Sequence, residues 1–141
     1  MYYGEIRKFT TDVQKIANNT DFTYDQILLV KNYLFLDQHS LEGEERYFDS
    51  CFEIAESWRR LAFEKEAIKK HDLTLIKHEL MEMELVSKGY SQFKAHEITN
   101  ELFNYAQESD AYYKKLLGST VIESKRDVNG GTVLRLSHNT H

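Results

Sequence analysis

The stretch that decides the fold reads His71-Asp72-Leu73-Thr74-Leu75-Ile76-Lys77-His78-Glu79-Leu80-Met81-Glu82-Met83, then Gly89-Tyr90-Ser91, then Ala95-His96-Glu97-Ile98. Leu73, Ile76, Leu80 and Met83 recur at steps of three and four, the period of a helix with one apolar stripe. Asp72 stands where an N-cap belongs, and Gly89 where a helix ends on a left-handed residue. Ser91 is the next cap, and Ala95, Ile98, Leu102 and Ala106 carry the stripe of a following helix that reads on to about Leu117. So short a link between two helices forces an antiparallel hairpin.

Working outward, a third helix fits Asp49 to about Glu66, with Cys51, Ile54, Ala55, Trp58, Leu61 and Ala62 on one face. A polar connecting stretch, His39 to Arg46, precedes it. Before that, Thr23 with Gln26 three residues on forms a capping box for a second helix running to about Asp37. Tyr33-Leu34-Phe35-Leu36 is apolar on all sides and is expected at the centre of the core. The first helix is marked by Ile6, Phe9, Val13, Ile16 and Ala17 and ends in Asn18-Asn19-Thr20-Asp21. At the far end, Thr120-Val121-Ile122-Glu123 and Thr132-Val133-Leu134-Arg135-Leu136 flank Asn129-Gly130, a hairpin-turn signal. The expected fold is mainly α: about five helices in a compact bundle over residues 1–118. Residues 119–141 are expected as a β-hairpin or flexible tail of the same domain.

Composition narrows the function classes. The chain has 141 residues, a formal charge of −5, one cysteine and no proline, against about seven prolines at average usage. Every helix boundary must therefore be drawn by Gly, Asn, Asp, Ser or Thr. No apolar run is long enough for a transmembrane helix. Met1-Tyr2-Tyr3-Gly4-Glu5 has neither the basic start nor the apolar run of a secretory signal. Cys51 cannot form an internal disulfide or a Cys-rich zinc site. A reducing cytoplasmic interior is expected, or delivery without a cleaved signal. The acidic balance argues against broad non-specific DNA binding, yet leaves room for a nuclease with a local basic patch.

The chemistry-bearing residues gather on the two hairpin helices. His78 and Glu82, four apart, share a helical face, and Glu79 and Glu82 are also neighbours. Counted outward from the turn, Glu82 and His96 reach nearly the same height, with His78 about one turn farther along. Two chemistries use such a group. Paired histidines oriented by a glutamate can cleave RNA, one taking the 2′-hydroxyl proton and one protonating the leaving oxygen, with Arg59 or Arg60 on the phosphate. Alternatively His78, Glu82 and His96 can ligate zinc, although the His-Glu-x-x-His signature has Glu82 at its last position. The same residues also admit a structural reading, with the histidines as partly buried helix residues and Glu79, Glu82 and Glu84 on a solvated face. Trp58 fits the core or a binding platform, and Cys51 fits the core. Tyr112-Tyr113-Lys114-Lys115 fits either a stacking clamp for single-stranded nucleic acid or a helix end with cations at its C-terminus.

From about Val30 to Lys115 the chain resembles a small domain found at the C-termini of phage minor-head-type proteins and of some bacterial polymorphic toxins. The matching stretches are Lys31-Asn32-Tyr33-Leu34-Phe35, Ala55-Glu56-Ser57-Trp58-Arg59-Arg60-Leu61, His71 to Glu82, Lys88-Gly89, Ala95-His96 and Phe103-Asn104-Tyr105. The resemblance implies an effector or toxin module acting on nucleic acid, with Trp58, Arg60, His71, His78, Glu79, Glu82 and His96 as its motif positions. The expected function is thus a nuclease-like (RNase) effector of phage or mobile-element origin. His78 and His96 are its acid–base pair, Glu79 or Glu82 orients them, and His71 belongs to the catalytic set. Arg59, Arg60 and Trp58 are expected to bind substrate. No cofactor is assigned, with a divalent metal such as zinc as the variant reading. RNA or DNA and a cognate immunity or host protein are the expected partners, and no membrane. The alternative is a non-enzymatic acidic helical phage protein that binds a host or virion protein.

Overall fold

The computed structural model describes residues 3–118, so the expected C-terminal hairpin or tail lies outside the described residues. The chain is mainly helical, as expected, but it divides into more helices than the periodicity suggests. In order these are α1 (Tyr3–Lys8), α2 (Asp12–Asn19), α3 (Tyr24–Lys31), a π turn (Asn32–Leu36), β1 (His39–Leu41), β2 (Glu44–Arg46), α4 (Phe52–Phe63), a 3-10 turn (Lys65–Ala67), α5 (Lys70–Ser87), α6 (Gln92–Asn100) and α7 (Tyr105–Gly118).

The expected first helix is cut in two at Phe9. The Lys31 ammonium donates to the carbonyl of Phe9 and to Asp12 Oδ1, both at 2.9 Å. The carbonyl released by the break is thereby satisfied inside the protein. Thr23 and Gln26 form the expected capping box at the start of α3. The π turn rotates Tyr33, Leu34 and Phe35 inward, whereas Leu36, expected in the core with them, ends the turn exposed. The polar stretch His39–Arg46 is a short antiparallel hairpin rather than a plain connection, with His39 opposite Arg46 and Leu41 opposite Glu44. Its two-residue turn places Glu42 (φ 52°) and Gly43 (φ 84°) in the left-handed region, the requirement of a tight hairpin.

Helix α5 is the axis of the molecule, packing against α3, α4, α6 and α7. Its apolar side adds Leu75 and Ile76 to a core formed by Tyr3, Ile6, Ile16, Ile27, Leu34, Phe35, Ile54, Trp58 and Leu61. Tyr3, Phe35 and Trp58 meet edge-to-face, with ring centroids 4.6 and 5.1 Å apart. Asp72 is not the N-cap: it lies within the first turn, and its carboxylate accepts the backbone N–H of Lys69 at 2.8 Å. The end of α5 is as expected. Gly89 (φ 107°) is the left-handed residue. The Gly89 N–H reaches the Val86 carbonyl and the Tyr90 N–H that of Leu85, the paired bonds of a Schellman motif. Ser91 Oγ then caps α6 by accepting from the Lys94 N–H. The stripe expected to continue to Leu117 is interrupted, because the Asn104 side chain accepts the Gln107 N–H and caps α7 as a separate helix.

Candidate functional site

The α5–α6 hairpin brings His78, Glu82 and His96 together. One ligating atom from each lies within 4.8 Å of the others. Both histidines address the same carboxylate oxygen: His78 Nε2 is 3.0 Å and His96 Nδ1 3.2 Å from Glu82 Oε1. The two rings stand edge to face with centroids 5.1 Å apart. The matched height of Glu82 and His96 expected from the residue count is therefore present in the fold.

Each buried member is held from behind. His78 Nδ1 donates to the Phe103 carbonyl at 2.8 Å, a carbonyl presented by the break between α6 and α7. Glu82 Oε2 accepts from the Tyr33 hydroxyl at 2.9 Å, and the Gln92 side-chain amide donates to that hydroxyl in turn. Burial and the charges of Glu82 and Glu79 push the Tyr33 phenol well above its usual range, so Tyr33 remains a donor. Burial acts against a charged His78, but the Glu82 hydrogen bond, the Glu79 charge and the Phe103 carbonyl outweigh it and raise His78 to about 9. Glu79 is wholly buried on the same helix, and its charge acts on His78, Tyr33 and Tyr3. A cavity of about 20 Å³ lies among His78, Glu79, His96 and Asn100, room for a single water-sized ligand.

Exposure is unequal. His78 is 3% and Glu82 1% exposed, whereas the His96 side chain is 27% exposed. The group therefore opens to its surroundings at His96. The solvated glutamate face allowed by the sequence is not formed at Glu79 and Glu82, which point into the protein.

The remaining motif residues do other work. Trp58 is fully buried and donates through Nε1 to Asp12 Oδ2 at 2.9 Å, so it cannot serve as a substrate platform. Arg60 is buried and clasps Asp72 with two 2.9 Å bonds, Nε to Oδ2 and Nη2 to Oδ1, so it is not available to a phosphate. Ser57 Oγ donates to Asp72 Oδ1 at 2.6 Å and also meets the Tyr105 hydroxyl. His71 belongs to this second network: its Nε2 lies 3.2 Å from Arg60 Nη2, and its ring packs on Tyr112. It sits two turns of α5, about 10 Å, from His78, outside the His78–Glu82–His96 group. Burial and the neighbouring Arg60 charge lower its pKa against the pull of Asp72. Arg59 lies nearer the surface and pairs with Glu56 and Glu64. Tyr112 and Tyr113 lie against His71 and Phe52, so their rings are committed to packing. Cys51 is buried, and burial pushes its thiol up to about 12.

No family model, curated protein or solved structure matches the chain. Its site is read from its own geometry. Among the described residues no helix is long and apolar enough to cross a membrane. Three participants escaped the sequence reading: Tyr33, taken only as core, Gln92, and the Phe103 carbonyl. Only Asn104, a capping residue in the middle of an apolar stripe, signalled the break that frees that carbonyl.

Proposed function

We propose that the protein is a nuclease-like effector domain acting on RNA, with the His78–Glu82–His96 group as its reacting centre. The observation that carries this reading is the meeting of both imidazoles on one buried carboxylate oxygen. The residues so assembled, with Glu79 beside them, are four of the seven that carry the resemblance to phage and toxin effector modules. The other three, Trp58, Arg60 and His71, are absorbed by buried networks that hold α4 against α2 and α5.

Burial divides the roles differently from a symmetrical histidine pair. Cleavage of RNA moves a proton from the attacking 2′-hydroxyl to the leaving 5′-oxygen, and a single imidazole that takes it from the first and returns it to the second balances the step. His96 is the member a polymer can reach, and so the catalytic residue. Glu82 and His78 are positioning residues, fixing the ring of His96 from below.

The test is cleavage of tRNA and rRNA by the full chain beside His96→Ala, with plasmid DNA as a second substrate. His96 is partly exposed, and the variant is expected to keep its helical circular dichroism while losing activity by a factor of about 100 or more. RNA cleavage equal in the two proteins, or absent from both, overturns the proposal.

A further inference from the structure

We propose that His78, Glu82 and His96 form a binding site for one divalent transition-metal ion of the zinc class. The His78 ring is oriented by one hydrogen bond. Its Nδ1 faces the Phe103 carbonyl at 2.8 Å, so that nitrogen carries the proton. Nε2 is thereby aimed at Glu82 Oε1 from 3.0 Å; in the metal-free protein a proton joins the two atoms, and a divalent ion binds by displacing it. His96 Nδ1 is directed at the same point from the other helix, 3.2 Å from the same oxygen.

The spacing fits a metal. Ligand bonds of about 2.0–2.2 Å in tetrahedral array place donor atoms about 3.3–3.6 Å apart, a few tenths of an ångström beyond the 3.0 and 3.2 Å edges here. Two imidazoles and one carboxylate are a borderline donor set that favours zinc, cobalt or nickel over magnesium or calcium. Both buried ligands already have the outer partners such ligands need: the Phe103 carbonyl fixes the His78 tautomer, and the Tyr33 hydroxyl fixes Glu82. A cavity of about 20 Å³ lies beside two of the three ligands, His78 and His96. Two carboxylates, Glu79 and Glu82, are buried at this one place, and a divalent ion offsets their combined charge. Binding of the ion stands on these contacts alone; it occupies His96 Nδ1 and leaves Nε2 to face the substrate, and any part in cleavage rests on the nuclease reading given above.

The experiment is titration of the chelator-stripped full chain with Zn²⁺ by competition calorimetry, and with Co²⁺ by visible absorption. One equivalent is expected to bind, with the intense visible bands of a tetrahedral cobalt site. His96→Ala is expected to weaken binding by more than the 10- to 100-fold that loss of an outer partner typically costs. Tyr33→Phe, which keeps all three ligands, is expected to fall within that range. Absence of stoichiometric binding, or affinity unchanged in His96→Ala, overturns the metal site. RNA cleavage that persists in excess EDTA without bound metal removes the metal and leaves the nuclease reading standing. A bound ion with no cleavage of any nucleic acid removes the nuclease reading and upholds the metal site.

Discussion

His78 Nδ1 and the carbonyl of Phe103 meet at 2.8 Å because the chain breaks between α6 and α7. Inside a continuous helix that carbonyl would be spent on the residue four positions on. The Asn104 cap that starts α7 thus frees the carbonyl that orients a histidine on α5. Asn104→Ala is expected to cost about 1 kcal/mol, the usual value of a lost cap, and to loosen the proton on His78 Nδ1. Urea unfolding measures the first effect, and the nitrogen chemical shifts of His78 measure the second. A stability loss with unaltered His78 nitrogen shifts would show that the cap and the site are independent.

Tyr33→Phe separates the outer support of Glu82 from its packing. The ring stays among its edge-to-face contacts with His39 and Phe48, while the bond from the hydroxyl to Glu82 Oε2 is lost. A buried acceptor deprived of its donor costs about 1–3 kcal/mol. The expected outcome in thermal unfolding is a folded, less stable protein, with no loss of helix by circular dichroism. Unchanged stability would place that oxygen in contact with water.

Arg60→Ala tests whether the second network is scaffold. Removing one partner of a buried, doubly bonded pair strands the other charge and costs about 3–5 kcal/mol. Arg59→Ala, breaking contacts nearer the surface with Glu56 and Glu64, is expected to cost less than about 1 kcal/mol. Denaturant midpoints of the two variants should differ accordingly. Similar midpoints would mean that Arg60 is freer than its two bonds to Asp72 imply.

Local chemistry made the hairpin legible. Gly89 and Ser91 announced the Schellman end and the next cap, and Thr23 with Gln26 announced α3. Counting residues from a tight turn also placed Glu82 and His96 at one height, since the helical rise is fixed. What stayed hidden depends on contacts with no sequence period. Lys31 reaches the break after α1 across 22 positions, and Tyr33 reaches Glu82 across 49. The inward turn of Tyr33 comes from a π turn, which no 3.6-residue pattern encodes. The polar burden of α5 was hidden for a related reason. By sequence Glu79 and Glu82 admit a solvated face, whereas four neighbouring elements close over them and over His71, Asp72 and His78.

The acid side of the stability profile carries the last prediction, through His71. Burial and Arg60 lower its pKa in the folded protein below the ordinary value of 6.5. Protonation therefore favours the unfolded chain. The stability this residue contributes is complete above the unfolded-state value and is lost as pH falls through about 6.5 toward the lowered folded value. His78 acts in the opposite sense in the metal-free protein: its contribution is complete below about 6.5 and is lost as pH rises through its folded value of about 9. The whole-protein profile mixes the two, so the informative quantity is a difference. In His71→Gln the amide oxygen can still accept from Arg60, while nothing titrates. The stability advantage of wild type over this variant is expected to shrink from pH 7 to pH 5 by urea unfolding, and carboxylate contributions common to both cancel. A difference constant over that range would mean that His71 takes up its proton without leaving the Arg60–Asp72 network.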